Sequence, residues 1–497
     1  MLLPLGVLLA FLPLTVTVPL VAALAGAAVI LAQPRWGLYA LALTVPYQSG
    51  FTIGDVSVPL DFKLGQVNAS ITEGVVALVI LGWVTQLASA PLGGEFPVPS
   101  SQFRVQGSLP TANAERGTRD AGLIGTSPLL LAVGVLLTAL VLSVLVARDL
   151  SLAAKELLKW LELAAVYLAG TSLLRTRRQR WTLVCWLGAA AASQAVLGLV
   201  QSVQKVGPEH FMIGGLLMRA YGTFEQPNPF AGYLGLTLPL VVSLYLFGLP
   251  PGRWRWLAAA AAVVLGTALL ISLSRGAWTA QAVALLLVTL GASRAARRIV
   301  LTFGVLGLFF VAGVWPLLPP EMSSRLVSIV GSAVDLGSVR EATITPENWA
   351  VLERLSQWHA GWQMFYDNPL LGVGIGNYNA AYDDYRLDQW PVALGHAHNH
   401  YLTVAAEAGF LGFLGYITFL ATAFYLGIRA ARAARRVGDR LWWALAIGIL
   451  GGLAAFATHN LFDVLFVHGM GVTVGLLLAL LEATPDAERR VEITVDD

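Results

Sequence analysis

Uncharged apolar stretches of about twenty residues recur from one end of this chain to the other. Pro128–Ala147, Pro229–Leu249, Ile299–Leu318 and Phe410–Ile428 are examples, each near the roughly 20 residues that a membrane-crossing helix needs. The 497 residues could otherwise hold about three soluble domains. Only 12% of them are charged, about half the share of a soluble domain, so the polar coat for that alternative is missing. Lipid leaves no backbone polar group satisfied, and the runs lack the alternation of a barrel strand, so the spans are helical. The fold class is therefore all-α, a polytopic membrane helical bundle of 12–14 spans.

The spans fall at roughly 2–16, 18–33, 36–48, 70–88, 129–147, 155–173, 181–203, 229–248, 257–272, 277–292, 299–318, 401–428, 441–459 and 463–482. The first two are short and read as half-helices or one tilted helix around Pro13 and Pro19. The N-terminus lacks the basic start of a signal peptide and reads as retained membrane helix. A net charge of +2, with no basic stripe interleaved with aromatics, excludes nucleic acid as a partner. Cys185 is the sole cysteine, which rules out an internal disulfide and a cysteine-based metal site.

Arginine placement sets the expected orientation. Arg175, Arg177, Arg178 and Arg180 form one cluster. Arg253 with Arg255 forms a second, Arg294, Arg297 and Arg298 a third, and Arg429, Arg432, Arg435, Arg436 and Arg440 a fourth. Even numbers of spans separate these short connections, so one assignment places all of them in the cytoplasm. Both termini then lie in the cytoplasm, and 204–228, the turn near 273–276 and the long segment 319–400 lie outside. That segment carries four arginines against nine acids, in keeping with the external side. Three regions follow: N-terminal membrane helices over 1–200, a membrane core over 201–482 with the external loop 319–400, and a cytoplasmic tail over 483–497. Residues 89–128 are rich in Gly, Pro, Ser and Thr and read as a mobile cytoplasmic loop. The external loop is rich in Trp and Tyr, with a helix over Trp349–Tyr366, and ordered loops of that length usually carry function.

Ionisable groups at membrane depth are costly, which makes each a candidate for chemistry. Arg275, in Ser274-Arg275-Gly276, interrupts an apolar stretch that otherwise runs from 257 to 292. It marks a turn or contacts an anion, and a guanidinium fork matches phosphate oxygens. Arg219 stands in Met218-Arg219-Ala220-Tyr221-Gly222-Thr223-Phe224, and the chain enters the next span through Asn228-Pro229. An arginine there snorkels at the membrane surface or belongs to a shaped loop.

All seven histidines follow residue 200, and His396, His398 and His400 alternate. If extended, this segment sets three imidazoles on one face for a metal; if helical, His396 and His400 share a face. No nearby carboxylate or thiol has ligand spacing, and an imidazole titrates near neutral pH, which favours a general base. Glycines 372, 374 and 376 do not make a dinucleotide fingerprint, because no strand precedes them. His459-Asn460-Leu461-Phe462-Asp463 is a polar group at an outer helix end, serving structure or function. Arg219, Arg275 and His398 come from distant parts of the chain, yet the charge-derived topology sets all three on one face. Two fixed cations beside a titratable base suit attack on a pyrophosphate-bearing, lipid-linked substrate.

His398-Asn399, nine residues, then Gly409-Phe410-Leu411-Gly412 fits the H-[NSQ]-x9-G-x-x-G pattern of bacterial O-antigen ligases, the WaaL-like proteins. Pro369 to Asn377, Ala397 to Leu402 and Glu407-Ala408-Gly409 resemble the core shared by these ligases and the Wzy polymerases. Arg219 before Gly222-Thr223-Phe224, and Arg275 before Gly276, resemble the family's two essential arginines. The likeness covers roughly 200–480. It implies a C-type glycosyltransferase-like membrane fold in the bacterial inner membrane, with an active site on the periplasmic face. The implied reaction is an inverting transfer of glycan from undecaprenyl pyrophosphate, without metal or other cofactor. His398 would take the proton of an acceptor hydroxyl, and Arg219 and Arg275 would stabilise the leaving pyrophosphate. Asn399, His400, His396, Tyr221, Asn228, Arg354 and Glu407 are the candidate substrate contacts.

The implied partners are the lipid-linked donor, a glycan, lipid or protein acceptor, and membrane lipid. A ligase, a polymerase and a protein O-oligosaccharyltransferase all fit, and the histidine pattern follows the ligase form most closely. A flippase for lipid-linked glycans is the alternative from another class. It fits less well, because transporters hold charges at the midplane between inverted repeats, whereas these candidates gather at one face.

Overall fold

The computed structural model describes residues 14–47, four short strands between 51 and 70, residues 71–89, 127–291 and 348–482, together with residues 298 and 344. Nearly all of the span expected at 2–16, the span at 299–318, nearly all of the loop 89–128, the first part of the external loop and the tail 483–497 lie outside the described residues.

The described chain is helical almost throughout. In order come α1 (Leu14–Ala32), α2 (Arg35–Thr44), α3 (Ile71–Ala88), α4 (Pro128–Val144), α5 (Leu150–Leu173), α6 (Arg177–Gln204) and α7 (Pro227–Ser243). They continue with α8 (Arg253–Ile271), α9 (Arg275–Leu290), α10 (Trp349–Asp367), α11 (Tyr378–Tyr385), α12 (His400–Arg436), α13 (Arg440–His459) and α14 (Met470–Leu481). Among the described residues, six helices are long and apolar enough to cross a membrane: α3, α6, α7 with its π-helical extension to Gly248, α8, α12 and α13. Two hairpin ribbons, β1 (Phe51–Ile53) with β2 (Val56–Val58) and β3 (Asp61–Leu64) with β4 (Val67–Ser70), fill the link from α2 to α3. A third, β5 (Met212–Ile213) with β6 (Leu217–Met218), lies between α6 and α7.

Helix starts follow the capping residues. Ser70 and Glu73 close a reciprocal capping box on α3, as Thr176 and Gln179 do on α6. Asp149 caps α5 and so starts that helix five residues ahead of the expected span. Asp439 caps α13 and also takes a forked contact from Arg177 at 2.7 and 3.2 Å, which ties the starts of α6 and α13 together. The last expected span, 463–482, shortens to α14. Residues 460–469 form a loop instead, held by Asn460 Oδ1 accepting from the Leu465 amide and by left-handed backbone at His468 and Gly469.

The core centres on α13, which packs against α7, α9 and α12. Without a hydrophobic drive between helices in lipid, close backbone approach supplies the attraction. Gly452 of α13 lies so near α7 that a β-carbon there would stand 2.4 Å from the Leu236 carbonyl oxygen. α10, the helix expected in the external loop, packs on α12.

The helix α12 is broken at Gly409, whose φ of 63° and ψ of −162° no residue with a β-carbon adopts readily. The break frees backbone groups inside the bundle, and the glycine segment 369–376 satisfies them. The Phe410 amide donates to the Pro369 carbonyl at 2.7 Å, and the Val373 amide donates to the Ala406 carbonyl at 2.9 Å. Glu407 secures the far end by accepting from the Tyr378 amide at 3.0 Å. Beyond it, Asn377 exchanges hydrogen bonds with the Asp149 backbone and the Ile375 amide donates to Ser143. A β-carbon on Gly409 would stand 2.3 Å from the Leu370 backbone. Gly409→Ala is therefore expected to destabilise the protein by about 2 kcal/mol or more, while Gly134→Ala, in an open helical position, leaves stability unchanged or raised by under about 1 kcal/mol. Thermal unfolding in detergent compares the two, and equal midpoints would remove the argument for the break.

Candidate active site

Four helix ends meet around one buried carboxylate. The start of α7 brings Asn228, the turn between α8 and α9 brings Ser272 and Arg275, the segment before α12 brings His396 and His398, and the loop after α13 brings Asp463. Nδ1 of His398 lies 3.2 Å from Oδ1 of Asp463, which also accepts from the Val464 amide at 2.9 Å. The second oxygen, Oδ2, accepts from the Asn228 amide group at 2.7 Å. Asn228 in turn accepts from Nη2 of Arg219 at 3.3 Å, and Nε of Arg219 donates to the Ser272 carbonyl at 2.8 Å. One chain of hydrogen bonds thus runs from the arginine to the histidine.

The chain reaches Arg275 through the backbone. Arg219 holds the turn that leads into α9, where half-buried Arg275 is the first residue. Gly276 packs on His459 and Phe462, with a β-carbon there only 3.0 Å from the imidazole, so the Arg275 turn rests on the Asp463 loop.

His398 adopts left-handed backbone at φ 50°, a strained choice for a residue with a β-carbon and one that gathers at functional sites. The strain turns its ring edge-on to His396, with centroids 4.5 Å apart. The backbone amide of His398 donates to Nδ1 of His396 at 3.1 Å, so His396 carries its proton on Nε2. Burial, followed by the charge of His398, holds His396 down to about 4 against an upward pull from Asp463, and it is neutral at pH 7. For Asp463, burial alone would push the carboxyl up. The hydrogen bond from His398 and the charges of His398 and Arg354 outweigh burial and hold it well below the usual carboxylate range. Asp463 is therefore an anion, and an Nδ1–H donated to it leaves the lone pair of the neutral His398 ring on Nε2. Glu353 on α10 also lies within the field of His398, and burial pushes its carboxyl up.

The candidate residues separate into groups. Arg219, Asn228, His396 and His398 join the hydrogen-bonded set, with Arg354 acting on it through charge. Asn399 caps α12 by accepting from the Leu402 amide at 3.1 Å. His400 turns the other way, into an aromatic core where Tyr416 meets it edge-on at 4.9 Å and Phe466 stacks at 5.8 Å. Tyr221 packs on Gly207 and Phe211, and Glu407 braces the glycine segment. The three histidines follow neither the extended nor the helical arrangement. Asp463 is the residue that sequence spacing missed, since 65 positions separate it from His398. Its only signal was an acid at the outer end of a span. His396, His398 and Asp463 each offer a ligand atom within 4.8 Å of the others, so they can also hold a divalent cation.

Residues 260–417 match the O-antigen ligase family model. The resemblance read from the sequence holds over that stretch, which contains Arg275, Arg354, His398 and Gly409 but neither Arg219 nor Asp463. It supports a glycan-transferring membrane enzyme. No curated protein matches the chain. Among solved structures, one reported as "Structural coordination of polymerization and crosslinking by a peptidoglycan synthase complex" contains a chain 19% identical to this one. The alignment covers 71% of this chain and 94% of that one, at a TM-score of 0.39.

The unfolded chain binds a proton at His396 below its ordinary value of 6.5, where the folded chain stays neutral down to about 4. Stability is therefore present above 6.5 and falls as the pH drops through that window, because the unfolded state binds more protons there. His396→Gln is expected to flatten the unfolding midpoint between pH 6.5 and 4.5, measured by differential scanning fluorimetry; an unchanged slope would contradict a neutral His396.

Proposed function

We propose that this chain is an O-antigen ligase-like transferase that moves a glycan from undecaprenyl pyrophosphate to an acceptor hydroxyl on the external membrane face. The observation that carries the reading is the hydrogen-bonded chain from Arg219 through Asn228 and Asp463 to His398. It joins a cation suited to a leaving pyrophosphate and a base suited to an acceptor hydroxyl in one hydrogen-bonded frame, which supports the reading. In the proposed step Nε2 of His398 takes the proton of the acceptor hydroxyl while its oxygen attacks the anomeric carbon from the face opposite the pyrophosphate. The bond from that carbon to the pyrophosphate oxygen breaks, and the configuration inverts. Arg219 and Arg275 stabilise the charge that develops on the leaving group, the kind of preorganised contact that often supplies the largest catalytic share. Asp463 stabilises the imidazolium that forms on His398.

No metal has a part in this scheme. A cation bound by His396, His398 and Asp463 would occupy the base, so zinc is expected to inhibit and EDTA to leave transfer intact. Loss of transfer in EDTA would assign the trio to a catalytic metal instead.

The polymerase and protein-glycosylating readings share this site and differ only in acceptor. Purified protein in lipid, supplied with one lipid-linked repeat unit and no other acceptor, separates them. A histidine-dependent ladder of longer glycans with released lipid pyrophosphate marks a polymerase. Donor consumed only after a separate acceptor is added marks a ligase or a protein glycosylator. A flippase would move the donor without releasing lipid pyrophosphate.

His398→Ala is expected to abolish transfer and keep donor binding; full activity in that variant would sink the assignment. Asp463→Asn is expected to lower kcat by about 100-fold or more with the donor KM little changed, because an amide no longer holds the base in the correct tautomer. Arg275→Lys is expected to lower kcat/KM by about tenfold or more, because an ammonium does not reproduce the guanidinium fork. Wild-type rates with lysine would argue against a forked contact.

A further inference from the structure

The helix α5 carries Glu156, Lys159 and Glu162 among its apolar residues, and the mechanism above uses none of them. α5 is not among the six helices apolar enough to cross a membrane, and these charged residues set it apart from them. Lys159 pairs with Glu156 at 2.5 Å. Lys159 and Glu162 then line a cavity with Thr72 and Glu73 of α3 and with Phe466 and His468 of the loop before α14. The space open to a small guest is about 70 Å³, room for about five water-sized groups. Thr72 is 2% exposed, and its hydroxyl has no hydrogen-bond partner among the described residues. A buried hydroxyl left unpaired on a cavity wall marks a place for a polar guest.

The wall chemistry selects the guest. Two carboxylates, Glu73 and Glu162, repel a phosphate. A lipid tail would strip water from Lys159 and Glu162 and offer neither a hydrogen bond. A neutral, hydroxyl-rich ring meets these requirements: it donates to the carboxylates, accepts from Lys159 and exchanges a hydrogen bond with Thr72. Phe466 is 3% exposed and stacks with Trp160 at 4.0 Å and His400 at 5.8 Å, so it closes the wall and offers no open face. The loop 460–469 separates this cavity from the histidine site, giving Asp463 to one and Phe466 and His468 to the other.

We propose that the cavity binds a neutral sugar ring, and that this ring belongs to the acceptor glycan. The second half rests on the transferase reading; the first does not. Full-length protein in lipid nanodiscs is to be probed by saturation-transfer NMR with the methyl β-glycosides of glucose, galactose, N-acetylglucosamine and N-acetylgalactosamine. At least one is expected to receive saturation. Thr72→Val, which keeps the shape of the side chain, is expected to weaken that glycoside about tenfold, the size of one lost hydrogen bond. Glu162→Gln and Lys159→Met are expected to weaken it as well, and inorganic phosphate is expected not to compete. No saturation of any glycoside, equal binding by all three variants, or displacement by phosphate overturns the site. His398→Ala is expected to keep sugar binding and lose transfer. If it keeps both, the transferase reading fails while the sugar site stands. If Thr72→Val weakens the glycoside but leaves the acceptor KM unchanged, the sugar is not the acceptor.

Discussion

A helix broken inside an apolar bundle leaves amide and carbonyl groups that lipid does not satisfy, and the arrangement of this protein follows from where those groups find partners. The break in α12 at Gly409 is closed by the glycine segment 369–376, whose backbone supplies a carbonyl to Phe410 and an amide to Ala406. The same segment then fastens to the connection between α4 and α5 through Ile375 and Asn377. An irregular stretch of chain is thereby anchored to three helices. His398 lies just ahead of α12, so the base is held by the end of a helix whose own path is set by that clasp.

Asp463 is the second constraint. A buried carboxylate needs donors on both oxygens, and those available are Asn228, the Val464 amide and His398. Satisfying it draws the start of α7, the loop after α13 and the segment before α12 to one point. Arg219 extends the set to the turn between α8 and α9 through the Ser272 carbonyl. The electrostatic cost of one acid is in this way converted into the geometry of four helix ends. The loop 460–469 that presents Asp463 also gives Phe466 and His468 to the cavity beside α5, so two polar sites share one short wall.

Much of this was legible in the residues. Apolar length and uncharged composition announce a helical membrane protein, because the hydrophobic thickness of a bilayer acts on each segment separately. The pairing of His398 with Gly409 and Gly412 at fixed spacing was visible, as were Arg219 and Arg275 as arginines interrupting apolar sequence. The purpose of the glycines was not visible. Gly372 reads as a turn residue, yet it lies where a β-carbon would strike the Ala406 carbonyl at 2.4 Å. His400 reads as an equal of His398 two positions earlier, but the helix that begins at His400 turns its ring into an aromatic core. The last span reads as 463–482, and only the hydrogen bonds of Asn460 and Asp463 reveal a loop before α14.

The sequence by itself determined what depends on neighbours along the chain: helical spans, capping boxes, the basic clusters between spans and the motif around His398. Tertiary structure alone decided which acid stands behind the histidine, which arginine is bound to Asn228, and that Lys159 and Glu162 face a cavity shared with Thr72. The physical reason is range. Hydrophobic length and capping act within one or two helical turns and leave a trace in local spacing. Hydrogen bonds and buried charges act wherever packing brings two groups together, and 235 positions separate Asn228 from Asp463.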